Sequence, residues 1–282
     1  MNRPRPSSRR RMIDWLLIVV GLPVAGWLFL RWFEQHNVYH PTRDWWSQPQ
    51  THHPSAETVR FRTADGLELS AWYLPAAPTS PHHRVAVLVS HGNGGNISHR
   101  GPLYALLRDL GVHVLAYDYR GYGQSQGKPS EQGTYADVEA AAGWLRSRGF
   151  SNSNIVAWGE SLGGGVSSEF AHRHPDLRGL VLQSTYTSLL DLGSELFPFL
   201  PVRTVARYHY DTISKLPGIR VPVLVLHSRE DTLIPFHHAE RNFAAANAPK
   251  LFREVRGDHN DQPTVEPELF AKALREFLEA KP

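Results

Sequence analysis

Short apolar runs alternate with amphipathic segments along most of the chain. The runs are rich in Val, Leu and Ile, which is typical of strands buried on both faces. They predict strands at residues 85–90, 112–117, 155–158, 179–183, 222–227 and 251–255. The segments between them predict helices at residues 100–110, 131–148, 162–174, 236–246 and 266–280. This alternation predicts parallel crossover connections and an α/β sheet covered by helices on both faces.

Two segments interrupt the alternation. Residues 58–63 and 67–74 flank Asp65-Gly66, a dipeptide that favours the turn of an antiparallel hairpin. Residues 184–218 are rich in aromatic side chains, and Pro198 and Pro201 divide this segment into short helices. An insertion at this point predicts a small helical lid over the sheet. Ordinary packed surface helices would give the same pattern.

Residues 15–30 form an uncharged and mostly apolar run. A helix of this length spans roughly 24 Å at about 1.5 Å per residue, and Arg31 can extend toward the interface. We therefore expect residues 1–34 to form a basic N-terminus and a single transmembrane anchor, followed by a connector at 35–56. The alternatives are a cleaved signal peptide and a buried core helix.

Arginines dominate the first residues, since five of them precede Asp14. They predict a cytoplasmic N-terminus, with the domain at 57–282 on the far side of the membrane, which is the periplasm in a bacterium. The formal net charge of +3 falls to −2 when those five arginines are set aside. The remaining chain therefore has no basic excess that would predict nucleic-acid binding.

The chain contains no cysteine and sixteen histidines. The lack of cysteine excludes disulfides, thiolate metal sites and a cysteine nucleophile. Several histidines are adjacent pairs, His52-His53, His82-His83 and His237-His238. Adjacent side chains do not share a face of a helix or strand, so we expect no metal site from these pairs.

The segment Gly159-Glu160-Ser161-Leu162-Gly163 follows a predicted strand and opens a predicted helix. It matches G-x-S-x-G, which forms a nucleophile elbow in this strand–turn–helix context. The turn is so tight that glycine is needed two positions before and two positions after the serine. Ser161 is therefore the candidate nucleophile. The alternative is a Gly-rich loop that carries a solvent-exposed serine.

A serine nucleophile needs a base, and the base needs a carboxylate that orients it. Loops after the carboxyl ends of parallel strands converge in space, so these partners can be distant in sequence. Asp231 follows the predicted strand 222–227, and His259 follows the strand 251–255. Glu230 is the alternative acid, and a buried structural histidine is the alternative interpretation of His259.

A glycine-rich loop, His91-Gly92-Asn93-Gly94-Gly95-Asn96, follows the predicted strand 85–90. Such a loop can direct backbone N–H groups toward an anion. It lacks the Lys-Ser/Thr ending of a phosphate-binding P-loop, so we interpret it as a source of oxyanion donors. Asp118 and Arg120, after the next strand, are expected to stabilise their own loop by capping and ion pairing.

Together these motifs resemble the α/β-hydrolase superfamily, in its serine-hydrolase branch near the serine aminopeptidases and monoglyceride lipases. The resemblance covers residues 57–280 and is strongest to small membrane-anchored hydrolases. It rests on the order Ser161, Asp231, His259, on the loop at 91–96, on the Asp-Tyr-Arg-Gly-Tyr-Gly segment that starts at Asp118, on Ile234-Pro235 and on His259-Asn260-Asp261. The histidine loop reads Gly-Asp-His rather than the commoner Gly-x-Gly-His.

The resemblance implies an α/β-hydrolase fold, with a mostly parallel eight-stranded sheet and a lid at about 184–218. It implies that the backbone N–H groups of Asn93 and Leu162 form the oxyanion hole, and that no cofactor is needed. The expected reaction is hydrolysis of a small-molecule or lipid acyl ester through an acyl-enzyme (EC 3.1). The alternatives are an acyl-protein or acyl-CoA thioesterase, then a peptidase. A further alternative, from a different functional class, is a membrane-tethered binding protein that has the hydrolase fold but no catalytic activity. No oligomeric state is predicted.

Overall fold

A mostly parallel eight-stranded sheet lies at the centre of the structure, a computed structural model that describes Arg9, Met12, Trp15 and residues 17–279. The sheet strands are β2 (Glu57–Arg62), β3 (Glu68–Leu74), β4 (Ala86–Ser90), β6 (His113–Tyr117), β7 (Ile155–Glu160), β8 (Gly179–Gln183), β9 (Val223–Ser228) and β10 (Lys250–Val255), and two short strands, β1 (His40–Pro41) and β5 (Gly94–Gly95), pair elsewhere. The order across the sheet is β10-β9-β8-β7-β4-β6-β3-β2. Only the pairs formed by β3 are antiparallel. The predicted fold class is confirmed.

Helices cover both faces of this sheet. The described helices are α1 (Leu22–Val38), α2 (Gly101–Asp109), α3 (Glu131–Ser147), α4 (Leu162–Arg173), α5 (Leu189–Leu196), α6 (Val202–Val205), α7 (His237–Ala245), α8 (Gln262–Val265) and α9 (Pro267–Glu279). Of these, α2, α3, α4, α7 and α9 pack on the sheet. Successive side chains of a strand point to opposite faces. In β4, Leu88 therefore packs with α3 and α4, whereas Val87 and Val89 pack with α2 and α9. Both faces are apolar, which explains the uninterrupted apolar runs of the sequence.

The predicted strands and helices of the domain lie within about two residues of the observed ones. Two features were not predicted. The strands β1 and β5 form a separate parallel pair, with His40 opposite Gly94 and Pro41 opposite Gly95. The short helix α8 directly follows the loop of His259. Elements of two to four residues are too short to show a periodic pattern.

The N-terminal helix differs from the predicted anchor in its boundaries. A five-residue π-helix, Leu17–Gly21, leads into α1, which continues to Val38 rather than ending near residue 34. Among the described helices, none is both long enough and apolar enough to cross a membrane. Part of the predicted anchor lies outside the described residues, as does most of the basic N-terminus. The C-terminal half of α1 packs against the segment predicted as the lid.

Residues 184–218 form the expected insertion of short helices. It contains α5, α6 and a 3₁₀ turn at Leu216–Gly218. Ser188 caps α5 by accepting the N–H of Asp191, and Pro201 precedes α6. The insertion leaves the sheet after β8 and returns to it at β9, so it lies next to the strand end that carries Ser161.

Candidate active site

Ser161 lies in a strained turn between β7 and α4. Its φ is +53° and its ψ is −116°, a conformation that is uncommon for a residue with a side chain. Its N–H donates to the carbonyl of Gln183 at 2.9 Å, and its carbonyl accepts the Thr185 hydroxyl at 2.7 Å. These bonds to the neighbouring strand end hold the serine in this geometry.

Glycine is required on both sides of this turn. A Cβ atom at Gly159 would lie 2.4 Å from the carbonyl oxygen of Gly163, and one at Gly163 would lie 2.0 Å from that of Ser90. A Cβ at Gly164 would lie 2.1 Å from the Thr185 hydroxyl oxygen. The glycines of the motif therefore allow α4 to begin in contact with β4 and β7, which places Ser161 at the edge of the sheet.

The three predicted catalytic side chains form a continuous hydrogen-bonded chain. His259 Nε2 is 3.0 Å from Ser161 Oγ, and His259 Nδ1 is 2.8 Å from Asp231 Oδ2. All three residues are buried. With Nδ1–H donated to the carboxylate, Nε2 is available to accept the serine proton. This arrangement can activate the hydroxyl as a nucleophile.

Asp231 is held by the backbone of its own loop. Its Oδ1 accepts the N–H groups of Leu233 at 3.0 Å and Ile234 at 2.8 Å. Burial opposes ionisation of this carboxyl, but the hydrogen bonds from His259 and Ile234 outweigh it and lower the pKa. The alternative acid, Glu230, instead accepts the N–H of Gly257 at 2.9 Å and the guanidinium of Arg256. Of the two acids, only Asp231 contacts His259.

His227, at the end of β9, is a neighbour of the triad that the sequence did not reveal. It is completely buried, and its Nε2 lies 2.8 Å from the Ile234 carbonyl and 3.5 Å from Asp231 Oδ2. Burial lowers its pKa, which favours the neutral ring. His227 therefore supports the loop that carries Asp231. Its position as the last residue of an apolar run was the only signal available in the sequence.

The two predicted oxyanion donors, Asn93 and Leu162, line the same cavity as Ser161. Within residues 17–279, neither of these backbone N–H groups is donated to another backbone group. Leu162 is the first residue of α4, where the helix dipole also favours negative charge. Both residues thus line the space around the nucleophile, and the role of their N–H groups as an oxyanion hole stays a prediction.

The connector after α1 supports the loop of Asn93. His40 donates its N–H to the Asn93 carbonyl at 3.0 Å, and Thr42 donates to the Gly95 carbonyl at 3.1 Å. The buried Asn96 side chain donates to Thr42 and to the Asp44 carbonyl, and it accepts the N–H of Ser98. The glycine-rich loop is therefore clamped between the connector and the sheet.

A buried ion pair joins this loop to the elbow. Arg100 contacts both carboxylate oxygens of Glu160, at 3.1 and 3.2 Å, and it donates to the carbonyls of Gly94 and Asn96. Both side chains are about nine-tenths buried, with 11% of each exposed. Glu160 directly precedes Ser161, so the pair fixes the distance between the nucleophile and the glycine-rich loop.

Asp118 and Arg120 stabilise the next loop, as expected. Asp118 Oδ1 accepts the N–H of Ile97, and Oδ2 accepts the indole N–H of Trp45, both at 2.9 Å. Burial raises the pKa of Asp118 to about 7. Arg120 forms ion pairs with Asp65 and with the buried Asp137, each at 2.8 Å. These residues hold loops around the site and do not contact Ser161.

Two cavities meet at Ser161. One has a volume of about 170 Å³ and is mostly apolar, with walls from α1, from the lid and from the loop after β9. The other, of about 520 Å³, is more polar and is lined by the glycine-rich loop, Arg100, Glu160, His259 and Asn260. The reacting hydroxyl therefore lies at the boundary between an apolar and a polar space.

One histidine pair differs from the sequence expectation. His237 and His238 both reach the carboxylate of Glu195, with their Nε2 atoms 3.1 and 3.3 Å from its oxygens. Among the described residues, these three side chains are the set whose ligand atoms could hold a metal ion, since all lie within 4.8 Å of one another. They connect α5 of the lid to α7 and lie outside the triad.

Known proteins resemble this chain in sequence and in fold. A family model described as serine aminopeptidase, S33, matches residues 81–207. The chain is 32% identical over 284 residues to the alpha/beta hydrolase domain-containing protein WAV2 of Arabidopsis thaliana, with 92% of each chain covered. It is 30% identical over 252 residues to the lysophosphatidylserine lipase ABHD12 of Mus musculus, with 78% of this chain and 61% of that one covered.

A solved structure has a similar fold. The Pyrococcus furiosus esterase Pf2001 aligns with a TM-score of 0.69 and 22% identity, covering 86% of this chain and 97% of the esterase. At this identity the likeness shows the fold alone. The sequence similarity to WAV2 over nearly the whole chain shows more, and the chain belongs to the α/β-hydrolase family.

Proposed function

We propose that this protein is a serine hydrolase that cleaves carboxylic esters through an acyl-enzyme. The observation that carries the proposal is the hydrogen-bonded chain from Ser161 through His259 to Asp231, at the boundary of an apolar and a polar cavity. Family membership and the esterase-like fold support hydrolysis in general. The bonded Ser161 hydroxyl supports a serine nucleophile, and the two cavities support an ester substrate.

In the proposed first step, His259 Nε2 accepts the hydroxyl proton as Ser161 Oγ forms a bond to the acyl carbon. The carbonyl π electrons move to oxygen, and the N–H groups of Asn93 and Leu162 stabilise this negative charge. In comparable sites the loss of one such donor costs about 3–4 kcal/mol. Asp231 stabilises the imidazolium and keeps the ring in the tautomer that presents Nε2 to the serine.

The intermediate then collapses. The carbonyl re-forms, the bond to the alcohol oxygen breaks, and the imidazolium Nε2–H donates its proton to that oxygen. The same steps with water as the nucleophile release the acid and restore the Ser161 hydroxyl. Each proton that His259 accepts is returned within one turnover, so the cycle balances with water as the only co-reactant.

The two cavities favour an ester with an apolar acyl group and a polar alcohol. The apolar cavity can desolvate an acyl chain, and the polar cavity can hold the departing alcohol. ABHD12, a relative at 30% identity, is named as a lipase. A thioester would fit the same two cavities, so it is the second candidate substrate.

A peptidase is less well supported, although the matching family model carries that name. An aminopeptidase needs a carboxylate that is available to a substrate amino group. In the described part of the chain, Glu34 and Glu160 are the carboxylates that line the two cavities. Glu160 is paired with Arg100, and Glu34 is bonded to Arg31 and to backbone N–H groups. Neither is free to bind an amine.

The proposal is tested by turnover of p-nitrophenyl esters and by labelling with a fluorophosphonate probe. The full chain should hydrolyse at least one ester from acetate to palmitate, and Ser161→Ala should abolish both turnover and labelling. Ser147→Ala, which removes an exposed hydroxyl on α3, is the matched control and should leave both unchanged. Labelling that survives in Ser161→Ala would place the nucleophile elsewhere. A folded chain without turnover of any ester or thioester would favour a binding protein.

A further inference from the structure

The apolar cavity beside Ser161 has a wall that comes from outside the hydrolase domain. Leu30, Phe33 and Val38 of α1 line it together with residues of the lid, and α1 also contributes the polar Glu34 and Asn37. We propose that α1 is part of the substrate site, and that Leu30 and Phe33 set the length of the acyl chain that the enzyme accepts. This inference rests on the proposed ester hydrolysis and adds the element that selects the acyl group.

The face of α1 that meets the lid is defined by helical spacing. Residues three, four, seven or eight positions apart lie on one side of a helix, and Phe33 and Val38 are three and eight positions after Leu30. These three side chains are buried or half-buried, whereas Phe29 and Trp32 are more than half exposed. The helix therefore presents one particular apolar face to the cavity, and its other apolar side chains point away from it.

Polar contacts hold α1 in this position. Glu34 Oε1 accepts the backbone N–H groups of Arg207 at 2.5 Å and Tyr208 at 2.8 Å, next to the lid helix α6. Arg31 donates to the Val205 carbonyl at 2.8 Å. Gln35 accepts the Tyr208 hydroxyl at 2.5 Å. The helix is thus bonded to the lid along one turn, and this turn is adjacent to the cavity lining.

Aromatic contacts continue the same interface. Phe33 packs edge-to-face against Phe197 of the lid, with ring centroids 5.3 Å apart. Tyr39, just after α1, is buried, and its hydroxyl lies 2.8 Å from that of Tyr210. Because Phe33 contacts the lid on one side and the cavity on the other, its volume determines how much space remains between helix and lid.

The chemistry of this cavity identifies the ligand class. The side chains contributed by the lid are almost all aliphatic or aromatic, and the Glu34 carboxylate is already satisfied by backbone and Arg31 contacts. A space of this kind offers dispersion contacts and desolvation but no unpaired carboxylate. A fatty-acyl chain attached to the carbonyl at Ser161 fits it, whereas a charged or strongly polar acyl group does not.

The proposal predicts a change in acyl preference when the α1 wall is altered. In the full chain, Leu30→Trp should fill the cavity and lower kcat/KM for p-nitrophenyl octanoate while p-nitrophenyl butyrate is still hydrolysed. The loss should be about fourfold for each methylene group displaced from the cavity. Phe33→Ala should enlarge the cavity and shift the preference toward palmitate. Trp32→Ala, an exposed aromatic on the same helix, is the matched control and should keep the wild-type profile.

The attachment of α1 gives an independent test. Glu34→Ala removes the acceptor for two backbone N–H groups and should reduce the discrimination between butyrate and octanoate. Glu34→Gln keeps an oxygen acceptor and should retain most of it. If wild-type chain hydrolyses esters and all of these variants keep its acyl profile, the proposed role of α1 is wrong. If wild-type chain hydrolyses no ester, the proposed function itself fails.

Discussion

His40 donates its backbone N–H to the carbonyl oxygen of Asn93 at 3.0 Å. His40 directly follows the segment that carries α1, and Asn93 is a predicted oxyanion donor. The carbonyl of Asn93 also accepts the Tyr122 hydroxyl at 2.8 Å, so the peptide unit that follows the predicted donor is held from two sides. The N-terminal part of the chain is therefore coupled to the geometry around Ser161.

The Asn96 side chain joins the glycine-rich loop to the connector at Thr42 and Asp44. Asn96→Ala should therefore lower both stability and activity. The substitution removes the bonds to Thr42, Asp44 and Ser98 in a fully buried position. We expect a loss of about 2–3 kcal/mol in the free energy of unfolding. Because the loop then positions Asn93 less well, kcat should fall about 10–100-fold. Urea unfolding and ester kinetics measure the two effects.

Asn247→Ala is the matched control for this prediction. Asn247 also uses its side-chain amide to bind several backbone carbonyls, those of Leu216, Pro217 and Ile219, but it lies outside the site cavities. Because Asn247 is only half-buried, its loss of stability should be smaller, about 1–2 kcal/mol, while kcat stays unchanged. If both variants lose stability and neither loses kcat, the clamp on the glycine-rich loop is structural only.

Gly163→Ala should prevent correct folding of the elbow. Its Cβ would lie 2.0 Å from the backbone oxygen of Ser90, and backbone atoms cannot move aside as a flexible side chain can. We expect a loss of about 4 kcal/mol or more in the free energy of unfolding. Gly143→Ala, inside α3, has only the end of the Arg146 side chain within 4 Å. It should stabilise the protein by about 0.5–1 kcal/mol. Equal thermal midpoints for the two variants would contradict this packing argument.

Asp231→Asn should reduce kcat by about 10⁴-fold while the fold is retained, as in other triads in which an amide disfavours the active tautomer. Glu230→Gln provides the comparison, because Glu230 contacts Gly257 and Arg256 rather than His259. It should change kcat little. A larger loss in Glu230→Gln than in Asp231→Asn would reverse the assignment of the acid.

The ionisation of Asp231 also predicts how stability depends on pH. Its pKa is lowered in the folded protein from the ordinary value of 3.8, despite burial, by hydrogen bonds from His259 and Ile234. A carboxylate of this kind stabilises the fold above its unfolded pKa, and the contribution is lost as the pH falls through the folded pKa. The difference in unfolding free energy between wild-type chain and Asp231→Asn should be constant from about pH 7 to pH 5 and shrink below about pH 4. Urea unfolding at these pH values measures it, and a difference that already shrinks near pH 6 would contradict the lowered pKa.

The sheet and the positions of the triad residues were predictable because they depend on local patterns. Apolar runs located the strands, and the strand ends located Ser161, Asp231 and His259 at one edge of the sheet. The expectation that parallel strand ends converge then agrees with the observed contacts, 3.0 Å between Ser161 and His259 and 2.8 Å between His259 and Asp231. Each of these three residues follows a predicted strand within a few positions, so its place in the sheet could be inferred from the sequence.

The contacts that join distant segments were not predictable. The strand His40–Pro41 has two residues and therefore no periodicity. His227 ends an apolar run, and nothing local indicates that it approaches Asp231. Hydropathy predicts an apolar helix at residues 15–30, but it does not indicate that the stretch from Leu30 to Val38 packs beside the lid. Phe33, Glu34 and Tyr208 show their relation only after the chain is folded.

The ion pair between Arg100 and Glu160 should be essential because it is buried next to the nucleophile. Glu160→Gln keeps an oxygen acceptor but leaves the Arg100 guanidinium buried without a countercharge, which should cost about 3–5 kcal/mol of stability. The exposed pair of Arg148 and Glu57 has a similar distance, 3.2 Å, with about half of each side chain exposed. Glu57→Gln should therefore cost only about 0–1 kcal/mol. Urea unfolding compares the two variants.

Because Arg100 also binds the carbonyls of Gly94 and Asn96, Glu160→Gln should lower kcat as well. An unchanged kcat would show that the ion pair does not position the glycine-rich loop.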